Sequence, residues 1–261
     1  MPMTTRSAEQ LPAHVRKAAE TARADGSTLS RREFLATASI FGATAATAYG
    51  MLGLAAPVRA QTTPQMGGTV RIQSVLQAMK DPVTFDNTTF SHFTQGWLEY
   101  LVKYNNDGTF TPELLAGWEV SEDASAYTLM VRPGVTWSNG DPFTAEDVAF
   151  NIARLCDGSI EGNSMATRFD VLRDAETGQA RDGAIEVVDD MTVRLNLSSP
   201  DVAIIPNLAD YPAAIVHQSF NADTMLSDPI GTGPYLPTRY EARIRAELTK
   251  NENHTWWKGE D

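Results

Sequence analysis

A chain of 261 residues carrying 33 Asp and Glu against 21 Lys and Arg has a net charge of −12. That acidity excludes nucleic acid and anionic membrane surfaces as natural partners, and it favours neutral or cationic ligands only weakly. The lone cysteine, Cys156, excludes an intramolecular disulfide, while 42% apolar residues at this length allow a sizeable core.

Residues 1–29 are polar and carry no fold signal. Ser30-Arg31-Arg32-Glu33-Phe34-Leu35 is a twin-arginine motif, followed by a weakly apolar run from Ala36 to Ala56. The run is about long enough to span a bilayer. Thr37, Thr44, Thr47, Gly42, Gly50, Gly53 and Ser39 make it less apolar than a stable anchor, so a removed signal is preferred to a transmembrane helix. Val58-Arg59-Ala60 offers small residues at the cleavage positions, which makes Gln61 the expected mature start. Removing residues 1–60 takes away seven Lys/Arg and four Asp/Glu, leaving 14 basic against 29 acidic residues, a net charge of −15. Cys156 lies far beyond this region, so no cysteine is placed to carry a lipid. The expected location is the periplasm of a Gram-negative bacterium, reached through the Tat translocase.

Beyond Gly67-Gly68, Val70 and Ile72 alternate with polar neighbours and predict a first strand over 69–75. A loop follows to about Phe90. From Ser91, the spacing of Phe93, Trp97, Leu98, Leu101 and Val102 predicts a helix, ended by the turn Asn105-Asn106-Asp107-Gly108. Tyr127, Leu129 and Val131 alternate with Thr128 and Met130 as a strand with one buried face. Pro133-Gly134 and Asn139-Gly140 are turn dipeptides, and Thr144 with Asp147 three residues on opens a capped helix whose buried face is Val148, Ile152 and Leu155. Residues 155–182 read as polar and irregular. Ile185 to Val188 and Val193 to Leu197 form a hairpin across Asp189-Asp190, Asp201 to Leu208 a short helix, and Ala214 to Val216 a short strand. Short helices mixed with local hairpins and non-local strands indicate an α/β (α+β mixed) fold rather than a bundle or sandwich.

The stretch from Pro112 to Asn151 resembles closely the family 5 extracellular solute-binding proteins, the dipeptide, oligopeptide and nickel receptors of ABC importers. Pro112, Leu115, Trp118, Ser121, Asp123, Tyr127, Thr128, Arg132, Gly134, Val135, Trp137, Asn139, Gly140, Pro142, Thr144, Ala145, Glu146, Asp147 and Val148 match the family pattern at fixed spacing. Val131 departs from it, where Leu is usual. Pro229-Ile230-Gly231-Thr232-Gly233-Pro234-Tyr235 matches a second signature, and residues 241–257 resemble the strand and the N-x-x-(Y/W)-W ending that follow it. The resemblance covers nearly all of residues 67–261. It implies a periplasmic-binding-protein lobe I with a mixed sheet built from 67–95 and 195–261, into which 96–194 insert as an extra subdomain. Relatives continue into a second lobe, so the chain is expected to be the N-terminal half of such a receptor, with exposed sheet edges and weak ligand binding.

His14, His92, His217 and His254 are too scattered for a metal motif, and no G-x-S-x-G, Walker or G-x-G-x-x-G sequence occurs. Pro234 removes a donor amide from Gly231-Thr232-Gly233, which reads as a structural turn with φ-permissive glycines. Asp189-Asp190 reads as a hairpin turn rather than an acid–base pair. Cys156 reads as a small buried helix residue. No catalysis, metal or cofactor is expected. The resemblance places ligand contacts in Asn87 to Phe93, Asn163 to Arg168, and Asp210 with Tyr211. Within these, Ser91, His92, Phe93, Met165, Arg168 and Tyr211 are the candidate ligand-binding residues, by stacking, by thioether contact, or by Arg168 holding a carboxylate. Phe93 also suits the core and Arg168 a solvated surface. The reading is a monomeric solute-binding component for peptides or similar small polar solutes, partnered by ABC permease subunits. The alternatives are a twin-arginine-exported periplasmic enzyme and a non-functional receptor fragment.

Overall fold

A computed structural model describes residues 6–23, 30–56 and 67–254. The expected cleavage site at 58–61 and the tryptophans at 256 and 257 lie outside the described residues. The helices are α1 (Ala13–Arg23), α2 (Arg31–Ile40), α3 (Ala45–Met51), α4 (Ser91–Thr94), α5 (Ala145–Cys156) and α6 (Ile204–Leu208). The strands are β1 (Val102–Tyr104), β2 (Phe110–Pro112), β3 (Leu115–Val120), β4 (Ala126–Val131), β5 (Ile185–Asp189), β6 (Thr192–Asn196), β7 (Tyr235–Glu241) and β8 (Arg245–Lys250). They form a four-stranded sheet in the order β3-β4-β6-β5 and two separate hairpins, β1-β2 and β7-β8, in a mixed α/β fold.

Residue alternation builds the central sheet. In β4, Tyr127, Leu129 and Val131 are buried, and Leu129 lies opposite Trp118 on β3 and Val193 on β6. Each fully buried side chain of this size contributes about 1.5–3 kcal/mol relative to exposure. Asp189-Asp190 makes the expected turn between β5 and β6. Helix α5 covers β5 and β6 with Val148, Ile152 and Leu155, all buried. Its start matches the reading of Thr144 and Asp147: the Thr144 amide donates to Asp147 Oδ2 at 2.9 Å. Gly134 and Gly140 take φ of +79° and +96°, as turns before the helix require.

Four expectations are corrected. Residues 69–75 run extended, but no strand among the described residues pairs with them, and Val70 and Ile72 are 85% and 81% exposed. All strand pairs among the described residues are therefore antiparallel, and no mixed sheet forms there. The helix expected from Ser91 to Val102 stops at Thr94. Its next carbonyls are taken by other partners, since Gly96 O accepts from Tyr235 N–H and Trp97 O from Gly233 N–H, each at 2.9 Å. The strand expected at 214–216 is a strand-like segment without a ladder. Ile215 N–H donates to Glu99 O, and Val216 exchanges two bonds with the Asn151 side-chain amide at 2.8 and 2.9 Å.

The fourth correction concerns the N-terminal region. Residues 6–23 are not a featureless extension: α1 buries Val15 and Ala19 against α2 and α3. The weakly apolar run breaks at Gly42, where φ is +88°, so α2 and α3 are separate short helices. No helix among the described residues is long and apolar enough to cross a membrane.

Candidate functional site

The three segments expected to face a ligand are drawn together by short hydrogen bonds. Ser164 Oγ donates to the carbonyls of Val83 and Phe85 at 3.1 and 3.0 Å, and Phe85 stacks on Phe90 at 4.8 Å between ring centroids. This ties the 163–168 segment to the loop that leads into α4. Tyr100 Oη donates to Tyr211 O at 3.0 Å, joining the chain after α4 to the 210–211 segment. Burial pushes the Tyr100 phenol well above its ordinary range, with Glu113 and Asp210 adding to the effect, so it stays a donor. Asn207 Nδ2 donates to Arg168 O at 3.0 Å, closing the set.

The six candidate residues divide by exposure. Ser91, Phe93 and Met165 are buried, 3%, 7% and 0% exposed. Ser91 Oγ donates to Thr88 O at 2.8 Å, and the Phe93 ring meets Tyr240 edge-on at 4.8 Å. These three side chains pack beneath the surface rather than reaching solvent. His92 is exposed, its Nδ1 lying 3.3 Å from Ser74 Oγ. Arg168 is exposed and forms an ion pair with Asp210, whose other oxygen accepts the Tyr211 amide at 2.8 Å. Asp210 thus joins Arg168 and Tyr211 into one cluster holding a cation, an anion and a half-buried aromatic ring.

Sequence reasoning passed over the polar contacts within the loop that leads into α4. Gln77 Nε2 donates to Asn87 Oδ1 and Thr89 Oγ1 at 3.2 and 3.0 Å, and Lys80 pairs with Asp86 at 3.1 Å. That hydrogen bond from Lys80 holds the Asp86 carboxyl below its usual range. Only their places in a long loop hinted at these roles, and that hint is weak.

Other polar groups serve the frame. His217 Nδ1 accepts from the Ser219 amide at 3.1 Å, leaving Nε2 to face Asp141 Oδ2 at 3.2 Å, with the ring edge-on to Trp137. The histidine thereby pins the Asn139-Gly140 turn. Cys156 is buried at the end of α5, and desolvation pushes its thiol up to about 12, far from a reactive thiolate. No group of three or more His, Cys, Asp or Glu among the described residues is arranged to hold a metal.

Packing explains the glycines of the turn Gly231-Thr232-Gly233. A Cβ on Gly231 would lie 2.4 Å from Trp97 Cδ1 and O, and one on Gly233 2.6 Å from Trp97 O. Neither glycine has positive φ, so the expectation of φ-permissive glycines is corrected. Close approach to the Trp97 backbone is what excludes a side chain.

Residues 109–261 match the family model described as bacterial extracellular solute-binding proteins, family 5 Middle. The chain belongs to that family. Its members are transport receptors rather than enzymes. Di/tripeptide-binding protein 1 of Pseudomonas aeruginosa (strain UCBPP-PA14) is 28% identical over 240 residues, covering 79% of this chain and 44% of the relative. The chain therefore spans less than half the length of that curated relative. Among solved structures, AgaA from A. tumefaciens R10 in complex with agropinic acid aligns with a TM-score of 0.58 at 25% identity, covering 71% of this chain and 36% of that one. Listeria monocytogenes OppA bound to peptide aligns with a TM-score of 0.59 at 21% identity, covering 69% of this chain and 38% of that one.

Proposed function

We propose that this chain acts as the solute-binding component of an ABC importer, taking peptides or similar small polar solutes. In this reading, residues 67–95 and 195–261 are the core of lobe I, residues 96–194 an inserted subdomain, and residues 1–60 a twin-arginine signal region that directs export to the periplasm. The protein works there as a monomer that delivers its cargo to ABC permease subunits, by closure around the ligand.

One observation carries the choice of ligand class: the exposed Arg168–Asp210 ion pair beside Tyr211. A short peptide presents an ammonium and a carboxylate joined by an amide. Exchanging the internal pair for two ligand contacts gives Arg168 the carboxylate and Asp210 the ammonium, in charge-assisted bonds. Tyr211 offers a flat apolar surface to the intervening chain, with His92 a further polar contact. Ser91 and Phe93 flank His92, and Met165 lies in the same segment as Arg168; all three are buried. The di/tripeptide-binding relative supports the same class.

Arg168 and Asp210 must give up their own ion pair to take the ligand, so affinity for a dipeptide should be weak, about millimolar, which is about 4 kcal/mol. Titrating alanyl-alanine into the full chain and following backbone amide resonances tests this. Shifts should concentrate in residues 87–93, 163–168 and 207–211, and Arg168→Ala or Asp210→Ala should abolish them. Shifts clustered elsewhere, or equal in wild type and both variants, would refute the assignment.

A further inference from the structure

Helix α2 carries the twin-arginine motif, and it is seated on the body of the protein by two buried hydrogen bonds. Phe110 N–H, on β2, donates to Ser39 Oγ at 2.9 Å, and the Trp118 indole N–H, on β3, donates to Ile40 O at 2.8 Å. Ile40 closes the helix, where carbonyls lack intrahelical partners, so the indole satisfies a group that the helix leaves unpaired. Trp118 in turn is 3% exposed, and its donor would be left without a partner were the helix to depart unreplaced by water.

The apolar side of α2 fits the same surface. Phe34, Leu35 and Ala38 are at most 1% exposed and share one buried cluster with Phe110, Trp118 and Val120. Ser30, Arg31, Arg32 and Glu33 are exposed. They are held at the helix start by reciprocal capping, Ser30 N–H to Glu33 Oε2 at 2.6 Å and Glu33 N–H to Ser30 Oγ at 3.3 Å, with the Arg31 guanidinium 4.9 Å over the Tyr49 ring. The motif is thus split: its charged half faces water and its apolar half is core.

We propose that the surface formed by β2 and β3 is a docking site for an amphipathic helix, and that its occupant is the twin-arginine helix of this same chain. Docked, the helix completes the core and withholds Phe34 and Leu35 from any receptor that reads the motif as a whole. Undocked, it becomes readable and exposes an apolar recess with two free donors. Display of the motif and closure of the core are then alternatives set by one local equilibrium. The consequence for export rests on the function proposed above. The docking does not, because it is measured on the purified chain.

Trypsin provides the test, since it cuts after Arg31 and Arg32 only when the segment leaves its helix. In the full chain, cleavage there should be slower than in a free peptide of residues 24–44 by at least about 100-fold. Trp118→Phe and Ser39→Ala each delete one buried hydrogen bond and should each raise that rate about five-fold, leaving cleavage after Arg194 in β6 unchanged. Peptide-like cleavage in the wild type would overturn the proposal. So would variants that accelerate the Arg32 and Arg194 cuts equally, because the helix would then open only with the whole molecule. Protection that grows with protein concentration would assign the recess to a second copy and overturn it as well.

Discussion

Strand β4 and residues 69–75 carry the same kind of pattern, apolar side chains alternating with polar ones, yet the molecule treats them oppositely. Leu129 in β4 has a paired strand on each side and is fully buried. Ile72 is 81% exposed, with no strand among the described residues beside it. The second segment is held near its end, where Ser74 Oγ lies 3.3 Å from His92 Nδ1, and just past it, where Arg243 N–H donates to Leu76 O at 2.8 Å and Tyr240 Oη to Gln77 O at 2.6 Å. Alternation therefore reports that a segment can serve as a half-buried strand. It does not say whether a partner is present, because pairing is a property of two segments.

The contrast is sharpest in stability. Leu129→Ala should cost about 2–5 kcal/mol, the transfer of a buried side chain plus the cavity it leaves. Ile72→Ala should change stability by less than about 0.5 kcal/mol. Urea unfolding of the two variants checks both, and a loss above about 2 kcal/mol for Ile72→Ala would show that residues 69–75 are packed in solution.

Overpacking should come next in size. Gly231→Ala drives a Cβ into the Trp97 side chain and backbone at 2.4 Å, where neither neighbour is the end of a flexible chain, and should cost about 1–3 kcal/mol or more. Gly134→Ala meets open space at a φ of +79°, so it pays only for left-handed backbone, about 1–2 kcal/mol. Repeating both changes in a Trp97→Ala background separates the mechanisms. The Gly231 penalty should shrink only in part, because Trp97 O stays 2.4 Å from the new Cβ, while the Gly134 penalty stays; a Gly231 penalty that vanished would contradict the account of backbone approach.

What could be read in the sequence was local. The Thr144–Asp147 helix start, the face Val148, Ile152 and Leu155, the strand β4 and the Asp189-Asp190 turn all follow from spacing within a dozen residues, and all are present. What could not be read depended on distant neighbours. Helix α4 ends because the turn at 231–235 claims the Gly96 and Trp97 carbonyls, and nothing between Ser91 and Val102 announces that. The same turn's glycines are required by Trp97, which is distant in sequence and packs against them. Helix α1 has only Val15 and Ala19 buried, too few positions to stand out from a polar segment. In the candidate site, chain position pointed to three segments, but burial separates His92, Arg168 and Tyr211 from Ser91, Phe93 and Met165, and burial is not a property of spacing.

The smallest expected effect lies in the turn that joins β3 to β4. Asp123 Oδ1 accepts from Ser121 Oγ at 2.7 Å, from Ser125 Oγ at 2.8 Å and from Ser125 N–H at 3.1 Å, around an Ala124 held at a φ of +57°. The Ser121 hydroxyl first, then Ser125, lower the Asp123 carboxyl from 3.8 to about 2. A carboxyl whose folded pKa is depressed stabilises the fold above its unfolded pKa and loses that contribution as pH falls through the folded value. The loss belongs between about pH 4 and pH 2, and solvent exposure keeps it small. Asp123→Asn cannot titrate, so the gap in urea midpoint between wild type and variant should narrow across that window and hold constant from pH 5 to 7. A gap independent of pH would mean that the charge of Asp123 contributes nothing to the turn. A narrowing gap would show that the Asp123 anion helps hold the turn between β3 and β4, a local contribution added to the pairing that β4 has on both sides and residues 69–75 lack.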